Sequence, residues 1–291
     1  MISIYKIPGY ILCLLGGFFL SWGGLIIRSF ETIDIWQILT IRSFFFIIAL
    51  TIFLVLTYKK NTIKIIKHSG IPAAIAGLFL SLSFVAYIVA MSKTSVANVV
   101  FIISTQTIFL AVFGFLFLKE KITLKGYISI TLAFAGLVVM LGDSINQGTL
   151  FGNIVAFAIP INFTILVMII RKYPKLDMIP AIFYSGVFSG LYGIILTSDF
   201  SFSANDILMG FFLGVPQLAF GFICVTIGSK TTPAVTVGLL MLLETIFAPI
   251  WVWIFLNEVP PASVFIGGAI IISAVILKSF DKSKKINNKN N

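Results

Sequence analysis

Gln106-Thr107-Ile108-Phe109 and Glu244-Thr245-Ile246-Phe247 decide the fold, because they are one passage written twice. A shift of 138 residues with no gap lays residues 94–141 on 232–279. Phe117-Leu118-Lys119-Glu120 then falls on Phe255-Leu256-Asn257-Glu258. Two apolar helices joined by a tight acidic turn recur in register, so each half of the chain reads as a copy of one five-helix unit. Repeats of this kind mark secondary transporters, whose site lies at the repeat interface near the bilayer midplane.

Composition sets the solvent. Of 291 residues, 59% are hydrophobic and only 10% are charged, against about 25% charged in an ordinary soluble domain. Mean hydropathy is +1.11. Lipid has to cover this much apolar surface. The apolar run 7–27 is longer than the h-region of a secretory signal and no A-x-A site follows it, so it reads as a retained spanning helix. A bilayer core of about 30 Å takes roughly 20 apolar residues as helix. Ten segments meet that length: 7–27, 35–57, 70–91, 95–118, 123–141, 149–171, 178–197, 205–229, 233–256 and 261–279. Lipid offers backbone groups no partner, so each is expected to be helical. The Lys-rich stretch 58–69 reads as interfacial.

The net charge of +10 does not indicate nucleic acid, because the basic residues stand in short loops and a tail between apolar runs. With the N-terminus inside, the inner side receives Lys6, the lysines of 59–67, Lys119, Lys121, Lys125, Arg171, Lys172, Lys175, Lys230, Lys278 and the tail lysines, seventeen in all. The outer side receives three, Arg28, Arg42 and Lys93. This split predicts a multi-pass protein of the cell (inner) membrane with both termini cytoplasmic. It also explains why the first acidic turn carries Lys119, Lys121 and Lys125 while the second, from Asn257 to Ser263, carries no lysine. An odd number of helices per unit puts equivalent loops on opposite sides. The expected fold is therefore all-α integral membrane, ten transmembrane helices as two inverted five-helix repeats. The first spans 7–141, the second 149–280, and 281–291 forms a disordered cytoplasmic tail.

These features resemble the drug/metabolite transporter superfamily, EamA-like family. The residues that carry the likeness are Ser21-Trp22-Gly23, Leu118-Lys119-Glu120, Leu243-Glu244-Thr245 and Leu256-Asn257-Glu258. The resemblance covers residues 7 to about 280. It implies a ten-helix basket around a central cavity and export or exchange of small metabolites, amino acids and drugs. The Glu of the ninth helix is often followed by Pro in that family; here Thr245 follows it, with Pro249 downstream.

Glu244 is the leading site candidate. It is the twelfth residue of the 24-residue segment 233–256, and a carboxylate at such a depth costs on the order of 3 kcal/mol unless it faces a wet interior. It suits proton coupling or capture of a cationic solute; the plainer alternative is a hydrogen bond that glues helices together. Gln106 is its repeat partner. Helical spacing groups Gln106 with Phe113, and Glu244 with Trp251, as faces of an aromatic cavity able to hold an amine. Trp22, beside Gly23 and Gly24, and Asn162, beside Pro160, fall together under the same shift and mark matching interruptions. Arg42 either attracts an anionic group, snorkels outward or pairs with Asp34. Tyr184 falls near its repeat equivalent. Gly186, Gly190, Gly210, Gly214 and Pro216 read as close-packing and bending positions. Glu120 and Glu258 are expected to cap the following helices near Thr123 and Ser263.

No catalytic residue, cofactor or metal is expected: the two cysteines lie in separate apolar runs, and the single histidine, His68, is in a basic loop. No P-loop appears, so a proton or solute gradient would supply the energy. The function read here is a secondary transporter, exporter or exchanger, of small organic metabolites, amino acids or amphipathic compounds by alternating access. The alternative is a lipid-linked carrier or flippase on the same fold. The partners are the small-molecule substrate, protons as the candidate coupling ion, and the bilayer. The protein is expected as a monomer or homodimer.

Overall fold

In a computed structural model, which describes residues 3–30, 34–94, 96–141, 150–257 and 262–279, every regular element is helical. A 3-10 turn (Ser3–Lys6) precedes α1 (Gly9–Leu20) and α2 (Gly23–Arg28). Then come α3 (Ile35–Tyr58), α4 (Thr62–Lys93), α5 (Val96–Ser104), α6 (Gln106–Leu118) and α7 (Leu124–Leu141). The second half holds α8 (Leu150–Lys172), α9 (Ile179–Leu196) and α10 (Ala204–Phe212), followed by a π-helical stretch (Leu213–Phe220). It ends with α11 (Gly221–Ser229), α12 (Ala234–Met241), α13 (Leu243–Leu256) and α14 (Ala262–Ser279). Glu31, Asp143, Glu258 and the tail 281–291 lie outside the described residues.

Among the described residues, seven helical stretches are long and apolar enough to cross a membrane. One of them, Ile35–Lys93, has 59 residues. As one straight helix it would be roughly 90 Å long, about three bilayer cores. It is instead bent back on itself: Lys59 takes φ 51 and ψ −124, and α3 packs against α4. A second reversal of backbone, Gly70 at φ 52, separates the basic piece 62–69 from the apolar remainder of α4. A positive φ of this kind costs glycine nothing and a β-branched residue a good deal. Leu124–Val139 and Ala262–Lys278 are shorter apolar helices.

Each end has a local cause. Asp34 starts α3 by accepting hydrogen bonds from the N–H groups of Trp36 and Gln37, while the Gln37 side chain takes the Asp34 N–H. Ser203 and Asp206 form the same reciprocal box at α10, and such caps satisfy the free N–H groups of a first turn. Lys119 and Asn257 end α6 and α13 in the left-handed conformation, φ 54 and φ 56. These two positions are 138 residues apart, the shift that relates the two copies in the sequence.

The most extensive packing joins α7 to α14, α4 to α8 and α9, α3 to α9, and α1 to α11. Every one of these pairs takes one member from before residue 142 and one from after 149. Without a hydrophobic drive between helices in lipid, small residues bring the backbones together. A Cβ on Gly77 would stand 2.6 Å from the Ala181 carbonyl, and one on Gly214 2.6 Å from that of Arg42. The main core runs through Phe46, Leu80, Phe84, Phe163 and Phe222. A smaller cluster, with Ala133, Leu137, Ile271 and Ala274, seals α7 against α14.

Candidate functional site

Three helices are interrupted where the two halves meet. α1 gives way to α2 at Ser21-Trp22, α5 to α6 at Thr105, and α12 to α13 at Leu242. The last two breaks are single tight turns: the Thr105 N–H donates to Ile102 (3.1 Å) and the Leu242 N–H to Leu239 (3.2 Å). Mid-helix tightening of this kind is a frequent hinge. Gln106 follows the first break immediately, and Glu244 lies in the first turn after the second. Carboxylates are favoured at such helix starts.

Both side chains line one cavity with about 580 Å³ of empty space, part of it open at the rim. Arg42 lines it from α3, Ser83, Phe84 and Tyr87 from α4, and Gln217 from the π-helical stretch. Phe163, Phe222, Leu80, Ile103 and Ile159 supply apolar wall. The Phe84 ring meets Phe46 and Phe222 edge-on, with centroids 5.7 and 5.3 Å away.

Arg42 is 1% exposed. One nitrogen donates to the Phe84 carbonyl at 3.4 Å, the guanidinium lies 5.2 Å from the Phe84 ring centre, and Nε has no partner. The expectation that Arg42 snorkels or pairs with Asp34 is corrected: Asp34 is occupied as the α3 cap, and the Arg42 side chain is buried against Phe84 of α4. Arg42 and Glu244 share the cavity without forming an ion pair. Tyr87 stands within electrostatic range of both. Gln217 donates to the Leu20 carbonyl at 3.1 Å and leaves its own Oε1 without a partner.

Of the sequence candidates, the structure thus brings Arg42, Gln106 and Glu244 together. Trp22, Phe113, Asn162, Tyr184 and Trp251 are not among the residues lining this cavity. Trp251 donates to Ser21 Oγ at 2.8 Å and stacks on Phe247, and Trp22 meets Phe18, Phe19 and Trp251 edge-on. This is a separate aromatic cluster between helices near the α1–α2 break. Phe113 packs with Phe109 and Phe117. Asn162 is buried in α8. Tyr184 covers Gly77 and stacks on Phe188. Phe113 and Trp251 stand seven residues beyond Gln106 and Glu244, about two turns along α6 and α13, past the end of the cavity.

Sequence reasoning missed Tyr87, Gln217, Ser83 and Phe84. Pro216 was the available signal for Gln217: proline removes a backbone donor, the helix widens into a π stretch, and the next side chain turns inward. Tyr87 had no comparable mark.

A second polar cluster ties loop ends together. Glu120 accepts from Arg171 and from the Ala234 N–H (2.9 Å), and Arg171 also donates to the Ser229 and Thr232 carbonyls. Glu120 therefore caps α12, not the next helix in sequence, because the left-handed Lys119 turns the chain back under the α11–α12 turn. Tyr5 and Tyr58 both donate to Asp177. Burial, with the Asp177 carboxylate beside it, holds the Tyr5 phenol above its ordinary range, so it remains a neutral donor.

The EamA-like transporter family model matches residues 7–142 and again 150–280. The chain belongs to the EamA-like transporter family. It is therefore a multi-pass membrane transporter of the drug/metabolite transporter superfamily. A protein of Clostridium kluyveri described as an uncharacterized transporter is 27% identical over 96% of this chain and 95% of its own. One of Methanothermobacter thermautotrophicus, described in the same words, is 26% identical over 66% of this chain and 59% of its own. A solved crystal structure at 16% identity superposes with a TM-score of 0.79, over 93% of this chain and 96% of that one. This last likeness concerns the fold alone.

Proposed function

We propose that this EamA-family transporter is a secondary carrier of small organic solutes, working as exporter or exchanger by alternating access. The observation that carries the reading is a cavity walled by helices of both halves, with Arg42, Tyr87, Gln106, Gln217 and Glu244 directed at one space. Ionisable side chains are costly at this depth and belong at a solute or ion path.

The moving parts in this reading are two inverted five-helix repeats, 7–141 and 149–280. Two features support them. The left-handed ends at Lys119 and Asn257 and the tight turns at Thr105 and Leu242 recur at the repeat spacing, the turns to within one residue. The packing is also self-consistent under exchange of the halves. When each helix is replaced by its equivalent, the pair α4–α8 becomes α11–α1, and α3–α9 and α7–α14 map onto themselves. Contacts that survive the exchange are what a two-fold relation produces. Counting Ile35–Lys93 as two crossings and adding the shorter apolar helices gives ten spans. In this reading both termini are cytoplasmic and the membrane is that of the cell, which the lysine distribution supports.

Glu244 is the proton-linked group in this reading. Its repeat partner Gln106 cannot change charge, so only one of the pair titrates. Proteoliposomes offered a panel of labelled amino acids, amines and organic anions from outside, with and without a pH gradient, test the function. Wild type should take up part of the panel with a rate that varies from about pH 5.5 to 8.5, the range around ordinary and displaced carboxyl values. Glu244→Gln should stay folded and lose that variation. An unchanged profile in the variant removes Glu244 from the coupling.

A further inference from the structure

Arg42 is chemically unfinished. An arginine has five N–H donors, and in this structure one finds an acceptor, at the long distance of 3.4 Å, while Nε is buried with none. A charge that is 1% exposed and so poorly satisfied is expensive unless something else pairs with it. Among the described residues, no carboxylate does so. Asp34 is engaged at the α3 cap, and Glu244 borders the same cavity without an ion pair to Arg42. The guanidinium is also held in place, lying 5.2 Å from the centre of a Phe84 ring that Phe46 and Phe222 clamp edge-on. A fixed planar fork of free donors at the wall of a cavity is the arrangement that receives a carboxylate.

We propose that Arg42 is the anion subsite of the cavity and receives the single carboxylate of an otherwise apolar solute. The inference rests on the transport reading above and narrows its substrate class. Charge limits the ligand to one negative charge: among the described residues Arg42 is the one cation lining the cavity, and Glu244 borders the same space. The remaining wall, chiefly Phe84, Phe163, Phe222, Leu80 and Ile159, is aromatic and aliphatic and suits a hydrocarbon body. Neutral esters and amides of the same body leave Arg42 unpaired. They should be rejected, because a site built to bond a charged group pays its desolvation in full when that group is missing.

The test is a matched series on the purified full chain: 3-phenylpropionate, its methyl ester and its amide, then 4-phenylbutyrate, its methyl ester and its amide. Binding is measured by calorimetry in detergent and flux in proteoliposomes. The acids should bind wild type about tenfold or more tighter than their esters and amides. Arg42→Gln should abolish that preference, and Arg42→Lys should keep part of it. Should Arg42→Gln not fold, the comparison of acid with ester on the wild-type protein decides alone. The inference is overturned if no acid binds wild type, if esters and amides bind as well as acids, or if Arg42→Gln keeps the preference. Arg42-dependent binding of the acids without any flux would leave the subsite standing and sink the transport reading instead.

Discussion

Glu120 acts far from where it stands in the chain. It closes the turn after α6, yet its carboxylate caps α12 and holds Arg171 from the end of α8. At 13% and 17% exposed, the two partners are mostly out of water, so removing one strands the other. We expect Glu120→Ala and Arg171→Ala each to lower stability by about 2 kcal/mol, below the full cost of a wholly buried pair. The double variant should cost clearly less than the two single losses added together, which denaturant titration of the four proteins in detergent would read as a coupling energy. Additive losses would mean that the pair does not couple. None of this was legible in the sequence. The acidic turn announced itself as a repeated motif, but its partner lies 51 positions away in the chain, and nothing in the spacing names it. The three cavity residues that were legible, Arg42, Gln106 and Glu244, betrayed themselves by polarity inside apolar runs. Phe113 and Trp251 did not separate from the other aromatics, because in lipid both faces of a helix are apolar and periodicity loses its meaning.

At the scale of elements, the close approaches are set by which glycines face α3. A Cβ at Gly214 would lie 2.6 Å from the Arg42 carbonyl and 2.8 Å from Phe45 Cβ, both atoms of fixed position. A Cβ at Gly190 would meet Ser43 Cβ at an ordinary 3.5 Å. Gly214→Ala is therefore expected to destabilise by about 1–3 kcal/mol, while Gly190→Ala should be close to neutral. Melting of the two variants in the same detergent checks the contrast, and equal losses would show that spacing to α3 is not what these glycines provide. The apolar segments themselves were readable to within a residue or two: 123–141 is found as Leu124–Leu141, and 178–197 as Ile179–Leu196. Charges, Pro and Gly bound them. The interior breaks at Thr105 and Leu242 were not readable, because neither position carries a residue that forces one. They arise where α5 with α6 and α12 with α13 pass each other, with Ser104 Oγ and Thr245 Oγ1 2.9 Å apart.

For the whole molecule, orientation is the first thing to measure. With Cys13 and Cys224 replaced, a single cysteine at Ser201 should react with a membrane-impermeant maleimide added to intact cells, and one at Lys60 should not. The opposite pattern would reverse the topology and with it the direction assigned to every loop. Both positions are exposed in the structure, so silence at Lys60 would report the membrane and not burial. The packing carries a different consequence, for how the protein comes into being. Its most extensive helix contacts, α7 with α14, α4 with α8 and α9, α3 with α9, and α1 with α11, all cross from one half to the other. When the first five apolar segments have left the ribosome, nearly everything they will grip is still unmade. They must wait in the membrane with little more than the α3–α4 contact between them, and the most extensive contact of all forms last, when α14, the last described element, meets α7. A stop codon between the two halves would leave the first five segments without the helices they grip most, as incompletely assembled helices for the cell's quality control to remove.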